Sequence, residues 1–258
     1  MGFLHWSHEE FIATIKIERP PANALSSQVL KELSDILDEI EFHQDIRVIV
    51  LRGEGRFFSA GADIKEFTTI STGEDFGGLS TLGQDLFERM ERFSKPIIAV
   101  IHGAALGGGL ELAMACHFRL VTENTKLGLP ELQLGLVPGF AGSQRLPRYV
   151  GVARAAEMLF TSDAITGVEA VQYGLANHAY RDEVELLDQA YKMARKIAKK
   201  SPIALSAAIE LLNFSKTGEY YSGVKKEVEL FERVFLSKDG QEGISAFIEK
   251  REPKFTGE

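Results

Sequence analysis

Two glutamates stand in segments that read as active-site architecture rather than as ordinary helix surface. Glu111 ends the run Ile101-His102-Gly103-Ala104-Ala105-Leu106-Gly107-Gly108-Gly109-Leu110-Glu111, and Glu131 ends Leu127-Gly128-Leu129-Pro130-Glu131. Each carboxylate follows glycine, or glycine with proline, inside an apolar stretch. Two carboxylates facing one small volume can divide acid and base roles, because each opposes ionisation of the other.

The glycines add a second kind of chemistry. Glycine between a strand and a helix lets a ligand approach the backbone, since no side chain intervenes. The first amides of the helix have no intrahelical partner and sit at the positive end of its dipole. Such a place favours an anion or a developing oxyanion. Glu111 lies three residues after Gly108, on the same helical face. The plain alternative is tight strand–helix packing with Glu111 solvated in the first turn, and a glycine triplet alone does not choose between the two. Phe58-Ser59-Ala60-Gly61-Ala62-Asp63 has the same small-residue character, with Asp63 as a candidate N-cap. Together the two turns could supply two amides to one carbonyl oxygen.

Other constellations carry less. The six histidines (His5, His8, His43, His102, His117, His178) lack metal-ligand spacing, so no metal is expected. His102 reads as a satisfied turn residue rather than a base. No Gly-x-Ser-x-Gly elbow, dinucleotide fingerprint or phosphate loop is present.

The elements that must position these residues follow from periodicity. Phe11 to Glu18 reads as a strand, broken by Arg19-Pro20-Pro21. Val29, Leu30, Leu33, Ile36, Leu37 and Ile40 give an amphipathic helix over Ser26 to Phe42. Val48 to Leu51 and Ile97 to Ile101 read as buried strands, and Phe57 to Ala62 as a short strand and turn. Asp63 with Glu66 looks like a helix start. Thr68 to Ser80 reads as a mobile surface loop, Leu82 to Phe93 as a helix, and Glu111 to Phe118 as part of another. The alternation implies an α/β architecture with crossover connections. After about Glu183 about four helices are expected, with breaks at Ser201-Pro202, Thr217-Gly218 and Lys238-Asp239-Gly240.

Composition sets the outer limits. A chain of 258 residues suits one large domain or a domain with an appendage. The net charge of −8 weighs against non-specific nucleic-acid binding. The basic run Lys192 to Lys200 reads as a solvated face and helix C-terminus. The single cysteine, Cys116, cannot pair within the chain and reads as core. With no secretory pattern at the N-terminus and no apolar run long enough for a bilayer, a cytoplasmic location is expected.

Several ordered motifs resemble the crotonase, or enoyl-CoA hydratase/isomerase, superfamily, and most closely a bacterial-type enoyl-CoA hydratase. They are Arg19-Pro20 with Asn23-Ala24-Leu25, Ser59 to Glu66, His102-Gly103 through Glu111, Gly128 to Glu131, Pro138-Gly139, Gln144-Arg145-Leu146, and Phe247 to Arg251. The resemblance implies a spiral of strand–strand–helix units over residues 1–200 and a helical trimerisation region over 201–258, assembled as a homotrimer or homohexamer. It implies an acyl-CoA thioester as substrate and no separate cofactor. Ala62 and Gly108 match the positions whose amides hold the thioester oxygen. Ala22, Ala60, Asp63, Ile64 and Lys65 match CoA-contacting positions, and Phe247 and Lys250 match C-terminal positions that reach CoA, sometimes from a neighbouring subunit. Hydratases of the family carry both acidic positions, whereas its isomerases often keep the second alone. The expected reaction is therefore hydration of a trans-2-enoyl-CoA to a (3S)-3-hydroxyacyl-CoA. A Δ3-Δ2-enoyl-CoA isomerase or bifunctional enzyme is the alternative, and an RNA-binding or non-catalytic acyl-CoA-binding member the alternative of another class. Phe140-Ala141-Gly142-Ser143 departs from a stretch usually richer in glycine. Phe140 reads either as core filler or as a residue shaping the acyl pocket, which leaves chain length open.

Overall fold

A computed structural model describes residues 2–67 and 73–258 of the chain. A six-stranded sheet has the order β1 (Leu4–Glu9), β2 (Ile12–Ile17), β3 (Val48–Gly53), β4 (Ile97–Ile101), β6 (Phe118–Thr122), β9 (His178–Tyr180). The β1–β2 pair is antiparallel and the others are parallel. A smaller sheet joins β5 (Ala104–Leu106), β7 (Lys126–Gly128) and β8 (Ile165–Thr166).

Alternation along the central strands explains why both sheet faces are covered. Ile49, Leu51, Ile97, Ala99 and Ile101 point into the larger core, with α1 (Ser27–Glu41), α3 (Gly73–Glu91) and α4 (Gly108–Met114). Val48, Val50, Ile98 and Val100 point the other way, onto Leu186, Ala190 and Ala194 of α7 (Glu183–Ala198). A parallel strand buried on both faces needs an unbroken apolar run, which is what these segments supply. The order β1–β2–α1, then β4–β5–α4, is the strand–strand–helix repeat implied by the resemblance.

The first helix matches its periodicity. All six apolar positions are buried and the Ser26 hydroxyl caps the Val29 amide. Elsewhere the structure corrects the local reading. Leu4–Glu9 forms an edge strand that its polar composition conceals. Phe57 to Ala62 is no strand, and makes only the single-residue bridges Ser59–Ala105 and Leu25–Ala62. Of the expected loop Thr68 to Ser80, residues 68–72 lie outside the described residues, and from Gly73 the chain is helical. There Leu79 packs against the core, and tertiary burial outweighs weak local propensity. Helix α4 stops at Met114 rather than reaching Phe118, because the buried Arg119 guanidinium takes the carbonyls of Ala113 and Cys116 at its end.

The C-terminal region holds α7, α8 (Pro202–Thr217), α9 (Tyr220–Leu236) and α10 (Lys238–Glu249). The last break falls at Ser237, and Gly240 lies inside α10. A Cβ there would stand 2.1 Å from the Val234 carbonyl oxygen, so the α9–α10 corner requires glycine. Residue 200 falls between α7, which packs on the sheet, and α8. Val224, Val228, Phe231 and Phe235 form one exposed apolar stripe along α9. Among the described residues no helix is long and apolar enough to cross a membrane.

Candidate active site

Strand pairing brings the two glutamate segments together. Strands β5 and β7 are parallel, with Leu106 opposite Gly128. The chain leaves both at the same edge. From β5 it passes through Gly107 into α4, which carries Glu111. From β7 it passes through Leu129-Pro130 into a one-turn 3-10 helix, Glu131–Leu134. Gly107 adopts φ 52, ψ −128, open only to glycine, and its amide donates to the Gly128 carbonyl at 2.9 Å. A Cβ on Gly107 would stand 3.0 Å from Glu131 Oε1. That glycine thus lets the second carboxylate approach the first helix.

The Ser59–Asp63 turn closes over the same place. Leu25 bridges to Ala62 by accepting from the Asp63 amide and donating to the Gly61 carbonyl. In such a parallel bridge the amide of Ala62 itself faces away from Leu25. Asn23 anchors the turn by donating to the Glu54 and Phe57 carbonyls, and Arg19 pairs with Asp63. Gly109 allows the approach of α4, since a Cβ there would lie 2.3 Å from the Ser59 carbonyl oxygen. A Cβ on Gly108 would lie 3.2 Å from the Ala62 nitrogen. Among the described residues neither the Ala62 nor the Gly108 amide has a protein acceptor. Two adjacent amides are therefore open to one oxygen.

Ala60, Gly61, Ala62, Ile64, Gly107, Gly108, Glu111, Glu131 and Phe140 line one cleft, whose free space including the mouth is about 660 Å³. Its outer wall is apolar, from Leu79, Leu134, Leu136 and Val137. An apolar wall with a few convergent polar groups is the character of a small-molecule site. Of the residues singled out from the sequence, Ala22, Asp63 and Lys65 flank the cleft without lining it. Ala22 accepts from the Ala60 amide at 2.9 Å. Burial opposes ionisation of Asp63, but Arg19 and the Lys65 amide outweigh it and hold its carboxyl below the usual range. The Glu66 carboxylate accepts from the Ser27 amide and hydroxyl at the start of α1. Phe247, exposed on α10, and Lys250, at the end of that helix, do not line the cleft of their own chain.

Glu111 is 1% exposed. Its Oε1 accepts from the Phe140 amide at 2.9 Å and the Gly142 amide at 2.6 Å. The Gly142 amide opens α5 (Gly142–Thr161), so the helix dipole also favours the carboxylate. Burial is the largest influence and raises its pKa. The Gly142 bond lowers it, the charge of Glu131 raises it, and the Phe140 bond and Arg145 lower it, leaving Glu111 at about 7. Burial also raises Glu131, against a bond from its own amide. Glu131 Oε2 is shut from solvent with no partner among the described residues. A buried polar atom left unpaired in a cleft marks the place where a ligand group belongs. The site thus holds two carboxyls whose pKa values burial raises, Glu111 to about 7, beside two open amide donors.

Sequence reasoning missed the cradle of Glu111 and the apolar wall. The wall had a faint signal in the apolar run Leu132 to Val137 between Pro130 and Pro138. The cradle had none, because it consists of backbone amides. Phe140 does face the cleft, seated on Gly83 and edge-on to Phe87, with ring centroids 5.4 Å apart. His102 is a satisfied turn residue, its Nε2 lying 2.7 Å from the Gly55 carbonyl oxygen. Cys116 is buried, which pushes its thiol up to about 12. Among the described residues no cluster of His, Cys, Asp and Glu could hold a metal ion.

A mixed α/β fold thus carries paired carboxyls beside two open amides. The chain belongs to the enoyl-CoA hydratase/isomerase family, whose profile matches residues 7–258. It is 54% identical over 258 residues, all of both chains, to a protein of Bacillus subtilis (strain 168) named a probable enoyl-CoA hydratase. It is 39% identical over 251 residues, 96% of this chain and 95% of the other, to the crotonyl-CoA hydratase of Syntrophomonas wolfei. A crystal structure of the enoyl-CoA hydratase from Bacillus anthracis superposes with a TM-score of 0.94 at 37% identity, covering 99% of this chain and 100% of that one.

Proposed function

We propose that this chain is an enoyl-CoA hydratase, a hydro-lyase that adds water to a trans-2-enoyl-CoA to give a (3S)-3-hydroxyacyl-CoA, as in fatty-acid β-oxidation. The observation that carries this reading is the pair Glu111 and Glu131 in one cleft with the open amides of Ala62 and Gly108. The amides hold the thioester oxygen and stabilise the enolate that forms as water adds. One such donor is typically worth roughly 3–4 kcal/mol in a transition state. Glu111, fixed by its cradle, takes a proton from water as the oxygen attacks carbon 3. Glu131, whose Oε2 has no partner among the described residues, delivers a proton to carbon 2. The pKa of Glu111, raised to about 7, suits its step, since a proton-transfer group works best with a pKa near the operating pH, and burial moves Glu131 in the same direction.

CoA lies along Ala22, Ala60 and Asp63 to Lys65, and no resident cofactor is required. Residues 201–258 form the assembly region of a homotrimer or homohexamer. The apolar stripe on α9 supports this, because an uncovered stripe of that length is costly in water. Phe247 and Lys250 then reach CoA bound to a neighbouring subunit. The acidic balance supports an enzyme without nucleic-acid partners, and the single cysteine, which cannot pair within the chain, supports a cytoplasmic one.

The presence of both carboxyls favours hydration over Δ3-Δ2 isomerisation. Rates with crotonyl-CoA and with a 3-enoyl-CoA, measured separately, test this choice. Hydration should dominate, and isomerisation without water addition would overturn the reading.

A further inference from the structure

We propose that Arg145 is the positioning residue for Glu111, holding its cradle in place from behind. The inference rests on the hydratase reading for its kinetic consequence but not for its geometry. Arg145 is fully buried in the first turns of α5. Its guanidinium is divided among three acceptors. Nη1 donates to the Phe140 carbonyl at 2.6 Å, Nε to Glu91 Oε1 at 3.0 Å, and Nη2 to Glu88 Oε1 at 2.8 Å. Phe140 is thus held at both polar ends, its carbonyl by Arg145 and its amide by Glu111. The residue between the two cradle amides, Ala141, is in a left-handed conformation (φ 67). Non-glycine residues occupy that region only when their surroundings impose it. A planar fork with five donors suits this task, and a lysine cannot reproduce it.

Glu111 faces Glu131 from the 3-10 turn and Arg145 from α5. Glu91, only 3% exposed, also meets Arg148 of α5 and Lys216 of α8, while His117 lies within its electrostatic reach. Asn213 of α8 donates to the Glu91 carbonyl. Arg145 therefore sits between α3, which anchors it, and the turn that it fixes. Its cation also favours the ionised form of Glu111. No substrate atom need touch it, because it lines no part of the cleft.

The test compares Arg145→Met and Arg145→Lys with wild type and with Asn213→Ala, which loosens the same junction without touching Arg145. Crotonyl-CoA hydration is followed across pH, with thermal melts across the same range. Arg145→Met should lower kcat at least tenfold, leave KM within about threefold, and move the acid limb of kcat/KM up by about one pH unit. Arg145→Lys, which keeps the charge, should lower kcat with a smaller upward shift, and it carries the test if the methionine variant does not fold. Asn213→Ala should lower Tm and leave the acid limb in place. An unmoved limb in the Arg145 variants, a loss confined to KM, or an equal shift in Asn213→Ala overturns the proposal. The melts separate this from failure of the hydratase reading. With no hydration in any variant, an upward shift of the pH range over which stability declines still supports Arg145, and an unshifted range refutes it.

Discussion

Glu111→Gln separates the chemistry of that carboxyl from its packing. The amide is nearly isosteric, and its Oε1 can still accept from Phe140 and Gly142, so the cradle stays filled. What disappears is the group that exchanges a proton. Loss of a general base lowers turnover by about 10²- to 10⁴-fold, or about 3–5 kcal/mol of transition-state stabilisation. Stability should move the other way. Glu111 titrates at about 7 in the fold against an ordinary 4.5, so the folded chain holds that proton more tightly than the unfolded chain. This contribution is fully present below about 4.5 and is lost as pH rises to about 7, levelling off above. At about 1.36 kcal/mol per pH unit, the loss across that interval reaches about 3 kcal/mol. Glutamine carries no such loss. The variant should therefore melt several degrees above wild type at pH 8, at roughly 2–4 °C per kcal/mol for a domain of this size. At pH 5 the advantage should shrink. The assays are initial rates of enoyl-thioester loss with crotonyl-CoA and thermal melts at both pH values. Turnover within threefold of wild type would refute the proton-transfer role. An equal Tm difference at both pH values would refute the electrostatic account.

Three further outcomes are expected. Gly108→Ala places a Cβ 3.1 Å from the Phe140 ring and 3.2 Å from the Ala62 nitrogen, beside the two amides proposed to hold the thioester oxygen. Its kcat should fall about 10²- to 10³-fold while Tm changes little. Gly109→Ala drives a Cβ to 2.3 Å from the Ser59 carbonyl oxygen, which also accepts from the Leu106 amide, so thermal unfolding should show a loss of about 1–3 kcal/mol. Phe231→Asp puts a charge in the α9 stripe, and sedimentation should show a smaller assembly than wild type. A wild-type monomer at micromolar concentration would refute the assembly reading instead.

Elements whose information is local were legible. The six-position stripe of α1, the apolar runs of β3 and β4 and the four C-terminal helices all follow from periodicity. The misreadings have one cause. Thr68 to Ser80 reads as loop because it is rich in Gly, Ser and Thr, yet from Gly73 the chain is helical where Leu79 reaches the core. Phe118 reads as helix because Arg119, which closes α4, acts through a long side chain that periodicity does not register. Capping and burial by distant residues override local preference.

The site divides in the same way. Glu111, Glu131 and the two small-residue turns were visible because carboxylates and glycines are distinctive residues in an apolar run. Their convergence was not visible. It depends on Leu106 lying opposite Gly128 and on Leu25 bridging Ala62, pairings between strands and turns far apart in the chain. The sequence by itself determined which groups can exchange protons and which backbone can be approached, since those are properties of residue type. Tertiary structure alone decided that two carboxyls repel across one cleft, that the cradle of Glu111 is made of the Phe140 and Gly142 amides, and that Glu111 titrates near neutrality. Burial, charge separation and amide direction are properties of the folded chain, and no single residue carries them.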